Sequence, residues 1–169
     1  MAPLPDDLYE RDFLSWSEQQ AELLRRTALG ERVNGVDWPH IVEEIADLGL
    51  SELNSVRSLL RQGMIHLLKM YLSPDDQAGI HWFTETDAFL ADAATRFAPS
   101  MRQRIDVQDI YARTARSLRR VRDAFGASRA IPATCPWSLD QLLEGDPDTL
   151  LAVLRLAEET TARKAAAEG

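Results

Sequence analysis

IVEEIADLG, residues 41–49, places three carboxylates close together with no base between them: Glu43, Glu44 and Asp47. Their helical bearings decide whether they could act together. Each residue of a helix turns about 100°. With Ile41 at zero, Ile45 and Leu48 fall within about 40° of it. Glu43 lies near 200° and Asp47 near 240°, on the side expected to face water. Glu44 falls near 300°, at the border of the apolar stripe. It is the one carboxylate placed to leave solvent, with Arg25 or Arg57 as its expected ion-pair partner. His66 is the second residue of interest, lying beside Leu59, Gly63 and Met70 in a strongly apolar stretch. One reading makes it a neutral core histidine bonded to a carbonyl or to Gln20. The other pairs it with Glu44, with Asp12 as a further donor. Gln20 sits on an apolar stripe, and a buried amide without partners costs a few kcal/mol. Trp16, Gln20, Glu44 and His66 are therefore the candidate lining of a polar ligand pocket.

No catalytic set can be assembled around these residues. Carboxylate-imidazole metal sites in helical bundles use Glu-x-x-His on one helix, a pattern missing here, and HEXXH is missing too. No metal and no cofactor is therefore expected. Cys135 stands in TCPW with no histidine placed near it, so a buried structural thiol is expected rather than a nucleophile. Phosphate-cradling glycine loops and the G-x-S-x-G elbow do not occur. His81-Trp82 reads as a packing anchor at a helix start, and His40 as exposed. In RTARSLRRVR, residues 113–122, Arg113, Arg116 and Arg120 share one side without interleaved aromatics. A solvated or internally paired face accounts for that run.

The composition narrows the class further. The 169 residues are 45% apolar and 27% charged, with a net charge of −8. That charge argues against general affinity for nucleic acid, which requires local positive charge. The charge is uneven: residues 1–52 carry 12 acids and 4 bases, whereas residues 102–129 carry 8 bases and 3 acids. Acidic and basic helices packed side by side explain this, or else 102–129 meets an acidic partner. No apolar run is long enough to span a membrane. MAPLPDDLYERD lacks the basic start and apolar segment of a secretory signal. A lone cysteine fits a reducing cytoplasm.

Helical periodicity runs through every long segment, and no strand alternation appears. A first helix is expected from Asp6 to Leu29, closed by Gly30 in a left-handed cap. Asp37 caps a second, with Trp38, Ile41, Ile45 and Leu48 buried, and Gly49 ends it. Ser51 caps a third, to residue 72, with Leu53, Val56, Leu60, Met64, Leu67 and Tyr71 on one stripe. MIHLLKMYL is apolar nearly all round, which marks a helix enclosed by several neighbours. Gly63 costs roughly 1 kcal/mol relative to Ala inside a helix, so it is expected to admit a close backbone. A fourth helix covers 77–97 with Ile80, Phe83, Leu90, Ala94 and Phe97 inward. Ser100 caps a fifth, ending at Gly126, with Phe125 in its core. Ser138 and Gln141 have capping-box spacing. Asp146-Pro147 opens a last helix, whose Leu150, Leu151, Leu154 and Ala157 form a strip able to dock on the domain or on a second copy. The expected fold is all-α: an antiparallel bundle of about five main helices, a short helix and a C-terminal extension helix, in one domain over residues 1–169.

YERDFLSW (9–16), QAELLR (20–25), the EEI of 43–45 with Leu48-Gly49, and HLLK (66–69) occur in order. Pro74, Trp82, PSMR (99–102), Tyr111-Ala112 and CPWSLDQLL (135–143) follow. This layout, over about 9–145, resembles a bacterial family known only as domain of unknown function 29. The helix from about 147 to 165 looks like an extension. The resemblance implies a small all-helical bacterial protein and no activity. The reading of function is a non-enzymatic binding or protein-interaction module, working with a protein partner or a second copy. The alternative is a small-ligand or metal-binding protein, possibly an enzyme, using the pocket around Glu44 and His66.

Overall fold

Asp12 divides what periodicity reads as one first helix. The computed structural model describes residues 5–74, 76–121 and 129–167. In it α1 spans Pro5–Arg11 and α2 spans Phe13–Ala28. The Asp12 carboxylate accepts the Ser15 amide at 3.0 Å and the Ser15 hydroxyl at 2.6 Å. A side chain that satisfies an otherwise orphan amide starts a new helix. α2 ends as expected: Gly30, at φ 84°, donates to Thr27 O while Glu31 donates to Arg26 O. This paired closure needs a residue that tolerates positive φ.

α3 spans Trp38–Leu72 without interruption. Gly49 and Ser51 were expected to end one helix and begin another, but Gly49 keeps negative φ. A glycine in a helix interior costs only about 1 kcal/mol, and the turns on both sides carry it. The two residues mark a different boundary. The chain forms two compact units, Met1–Leu50 and Ser51–Gly169.

The first unit holds α1, α2 and the opening turns of α3. There the expected burial of the α3 stripe fails except at Ile41. Trp38 is 54% exposed, Val42 64%, and Ile45 and Leu48 67% each. The reason lies in which side of the helix is held. Tyr9, Trp16 and Gln20 bond to Glu44 and Asp37. With Ile41 at zero, those carboxylates lie near 300° and 320°, whereas Trp38, Ile45 and Val42 lie between about 40° and 100°. Polar bonds thus fix a neighbouring side of the helix and leave the apolar strip uncovered.

The second unit carries the main core. Val56, Leu60, Met64, Leu67, Leu68 and Tyr71 on α3 are fully buried. Around them lie α4 (Gly79–Arg96), a 3-10 turn (Pro99–Arg104), α5 (Val107–Val121), α6 (Leu139–Glu144) and α7 (Pro147–Ala167). The described residues contain no strand, and the fold is an all-α bundle. Asp106, not Ser100, caps α5 by accepting the Asp109 amide at 3.0 Å, and Pro99 starts the 3-10 turn instead. Phe125 and Gly126 lie outside the described residues. The capping box of Ser138 and Gln141 is complete. Leu150, Leu151 and Leu154 are buried, so α7 spends its apolar strip on this unit's own core. Ile80 is a correction: expected inward, it is 83% exposed at the start of α4.

A Cβ on Gly63 would stand 2.7 Å from Leu90 Cδ2, and Leu90 is itself buried. The glycine therefore admits α4. Gly63→Ala gains about 1 kcal/mol of helix propensity but meets an overpacking cost of about 1–3 kcal/mol. The expected result is net destabilisation in urea unfolding, relieved when Leu90→Val is added.

Candidate functional site

In the first unit the chemistry-bearing side chains converge on Asp37. Its backbone carbonyl accepts the Ile41 amide at 3.0 Å, which starts α3. Its Oδ2 meets His40 Nδ1 at 2.7 Å and accepts Trp16 Nε1–H at 3.2 Å. Burial pushes the Asp37 carboxyl up, but the hydrogen bonds from His40 and Trp16 outweigh it and hold the group below the usual carboxylate value. His40, expected to be exposed, has its side chain largely covered and stacks on Tyr9 with ring centroids 3.9 Å apart. Tyr9 also meets Trp16 edge-on at 4.9 Å, and Phe13 lies 5.4 Å from Trp16. The Tyr9 hydroxyl donates to Glu44 Oε1 at 2.5 Å. That bond to a carboxylate pushes the phenol up to about 12.

Gln20 is buried and closes the loop before α3. Its Oε1 accepts the Asp37 amide at 2.9 Å, and its Nε2 donates to Gly35 O at 3.5 Å. Gly35, at φ 92°, supplies the turn that brings that carbonyl round. Trp16 Nε1, both amide atoms of Gln20 and Glu44 Oε1, the atoms that sequence reasoning offered to a ligand, thus have internal partners. Glu44 takes a tyrosine where an arginine was expected: Arg25 pairs with Glu22, and Arg57 donates to Arg104 O.

His66 belongs to the second unit and pairs with Glu85, not with Glu44 or Gln20. Its Nε2 lies 3.4 Å from Glu85 Oε2, and His81 Nε2 approaches the same oxygen at 3.3 Å. Phe89 lies 5.8 Å from the His66 ring. The His66 Nδ1 is buried and meets no hydrogen-bond partner among the described residues. Burial, then the nearby Lys69 charge, pushes the His66 pKa below its ordinary 6.5 against the pull of Glu85. Glu85 at i+4 from His81 was legible as a helix-face pair, but nothing in the sequence points from it to His66. Among the described residues no three His, Cys, Asp or Glu side chains could hold a metal ion.

The remaining candidates have structural partners. Cys135 is buried, its thiol pushed up to about 11 by burial, with Sγ donating to Trp137 O at 3.4 Å. Gln108 clamps its backbone on both sides, accepting its amide at 3.0 Å and donating to its carbonyl at 3.3 Å. Trp82 is buried under Lys69 as a packing anchor. In the basic run, Arg113 pairs with Asp109, and Arg119 donates to Ile131 O and Pro132 O. Arg116 and Arg120 are exposed, and Arg122 lies outside the described residues. No described helix is long and apolar enough to cross a membrane.

Because His66 has a depressed folded pKa, the unfolded chain takes up its proton first as pH falls. Stability present above about pH 6.5 therefore declines as pH drops through that value toward the folded pKa. His66→Leu removes both this loss and an unpaired buried nitrogen, whose burial costs about 1–3 kcal/mol. In urea unfolding at about pH 8 and pH 5, His66→Leu is expected to match or exceed the parent at the higher pH. It is also expected to show a smaller fall in midpoint between the two.

A family model described as Domain of unknown function DUF29 matches residues 8–146. The fold is similar to the crystal structure, at 1.45 Å resolution, of an alpha-helical protein of unknown function from Rhodospirillum rubrum ATCC 11170. That likeness has a TM-score of 0.65 and 28% identity, covering 86% of this chain and 96% of that one. No curated protein matches the chain.

Proposed function

The chain belongs to the family Domain of unknown function DUF29, and on that premise we propose that it is a non-enzymatic protein-interaction module whose first unit pairs with a second copy. The observation that supports this is the uncovered strip of Trp38, Val42, Ile45 and Leu48 on α3. Exposed apolar side chains scattered singly are ordinary, but a contiguous strip costs solvation and marks a contact surface. The strip belongs to an orderly element, because Asp37, Gln20 and the Tyr9–Glu44 bond hold the same turns of α3 from their polar side. That arrangement fixes a helix while leaving its apolar side free, as a groove-or-helix contact requires.

The uncharged strip of this helix admits a second copy as the occupant. Over residues 38–50, from Leu48 through Ile45 and Trp38 to Val42 and Ala46, about half the circumference of the helix carries no charge. Glu43 and Asp47 point the other way. Residues 1–52 carry the chain's whole net charge of −8, and the uncharged strip is the side of the first unit on which two copies can meet without opposing carboxylates. Ala46 and Gly49, on the same side, leave room for a close helix. α7, the other candidate for self-association, has its strip committed to its own unit. The reactive-type side chains are also engaged: Cys135 is a buried thiol, and Asp37, His40, Tyr9 and Glu44 bond one another.

Sedimentation velocity of the full chain across a concentration series tests the pairing. The sedimentation coefficient should rise with concentration, and Ile45→Glu or Leu48→Glu, both at exposed positions, should return it to the monomer value. A parent that stays monomeric throughout, or a dimer indifferent to both substitutions, would overturn the proposal.

A further inference from the structure

Ile80 and Arg155 meet at a cleft in the second unit. The end of α3, the start of α4 and one face of α7 border an open depression of about 300 Å³ lined by Met70, Pro74, Ile80, Phe83, Leu151 and Arg155, with Ser73 and Gly79 completing the wall. The floor is apolar and well covered: Met70 and Leu151 are buried, and Phe83 is partly so. Ile80 stands at the rim, 83% exposed, although its helix has a buried side available at Trp82, Thr86 and Leu90. Leu151 and Arg155 are four residues apart on α7, so they share one face of that helix.

Among the described residues of the lining, Arg155 is the one that carries a charge. It makes no ion pair among the described residues, unlike Arg96, Arg102 and Arg113, which each hold a carboxylate. Asp76, at the foot of α4, makes no ion pair with it, and its carboxylate accepts the Ala78 amide at 2.8 Å. An apolar hollow edged by a guanidinium that holds no carboxylate among the described residues is complementary to an amphipathic anion. The guanidinium fork fits a carboxylate through two parallel hydrogen bonds. The hollow is at the small end of ligand sites, which run from about 300 to 1,000 Å³, so the apolar part is of medium length.

We propose that this cleft binds a medium-chain fatty acid, its acyl chain lying over Met70, Phe83 and Leu151 beneath Ile80 and its carboxylate on Arg155. The inference stands apart from the pairing of the first unit, since none of its residues belongs to that unit.

Calorimetric titration of the full chain with decanoate tests it, with 1-decanol as the uncharged control. Arg155→Met keeps the apolar stem and removes the charge. Ile80→Ser shortens the rim. Both positions are exposed, so both variants are expected to keep the fold. Decanoate should bind saturably and more tightly than 1-decanol. Arg155→Met should weaken decanoate by about tenfold, the scale of one charge-assisted hydrogen bond, and leave 1-decanol unchanged. Ile80→Ser should weaken both. Three results would overturn the proposal: no saturable binding by about 1 mM decanoate, equal binding of acid and alcohol, or decanoate binding indifferent to Arg155→Met. A short apolar peptide with a free C-terminal carboxylate that binds better than decanoate would also overturn it, because the occupant would then be a chain terminus.

Discussion

A helix enclosed on all sides must have every neighbour in place before any of its burial is realised. That condition governs the last turns of α3, from Gly63 to Leu72, where every residue is buried or partly so. Val56, Leu60, Met64, Leu67, Leu68 and Tyr71 are withdrawn entirely from water, and they include both faces of the helix. Each large apolar side chain so buried contributes about 1.5–3 kcal/mol of transfer free energy, whereas a surface ion pair contributes about 0–1 kcal/mol. The polar anchors of the unit then serve registration more than energy. Trp137 Nε1 donates to Leu150 O, Tyr111 donates to Pro132 O, and Arg129 donates to Tyr71 O while lying over the Tyr71 ring. Each ties an irregular segment or α7 to a helix whose position the apolar packing has already set.

The first unit is organised the other way round. Its burial is slight, and its geometry comes from hydrogen bonds that converge on Asp37 and Glu44. A carboxylate that accepts from an indole and a histidine while starting a helix has little orientational freedom left. Aromatic rings around it, from Tyr9 to Trp16 and His40, exclude water and strengthen those bonds. A unit held by polar contacts can leave a hydrophobic surface uncovered without losing its shape. A unit held by its core cannot. The same contrast explains why the exposed apolar residues concentrate on α2 and the early turns of α3, while most of those on the later turns of α3 are enclosed.

Legibility in the sequence followed the same division. Where burial decides, periodicity carried most of the reading: the stripe from Leu53 to Tyr71, the capping box at Ser138 and the buried Cys135 stand as read, while Gly63 faces the Leu90 side chain where a backbone was expected and Ile80 and Ala94, expected inward, are exposed. Where polar partners decide, it was not. The stripe of Trp38, Ile45 and Leu48 looks like a core face, and periodicity alone cannot say that a tyrosine 35 positions before Glu44 will hold the helix from another side. The same gap explains Glu44, assigned an arginine by charge, and His66, offered a carbonyl, Gln20 or Glu44 but found beside Glu85. Both choices considered only residues whose charge advertised them. The punctuation Gly49–Ser51 was real but misassigned, because glycine followed by a capping residue ends a helix only when the turn adopts positive φ, and this one does not. Asp12 was the converse case: a capping residue inside a continuous apolar period, whose carboxylate reached Ser15 and so started a new helix.

His66 shows how one position can escape both kinds of rule. Its helix is packed as a core, yet its ring reaches the edge of that core, where Glu85 is partly in water and His81 is mostly so. One nitrogen is therefore served by a carboxylate that solvent screens, and the other is enclosed without a partner. A leucine would fill the same volume and lose nothing on the enclosed side. The burial that disfavours the charged ring also makes its neutral form the one compatible with the packing of Phe89 and Lys69. The cost falls on a boundary residue because that is where an apolar stripe must hand over to water, and α3 makes that transition beside α4 rather than at its own end.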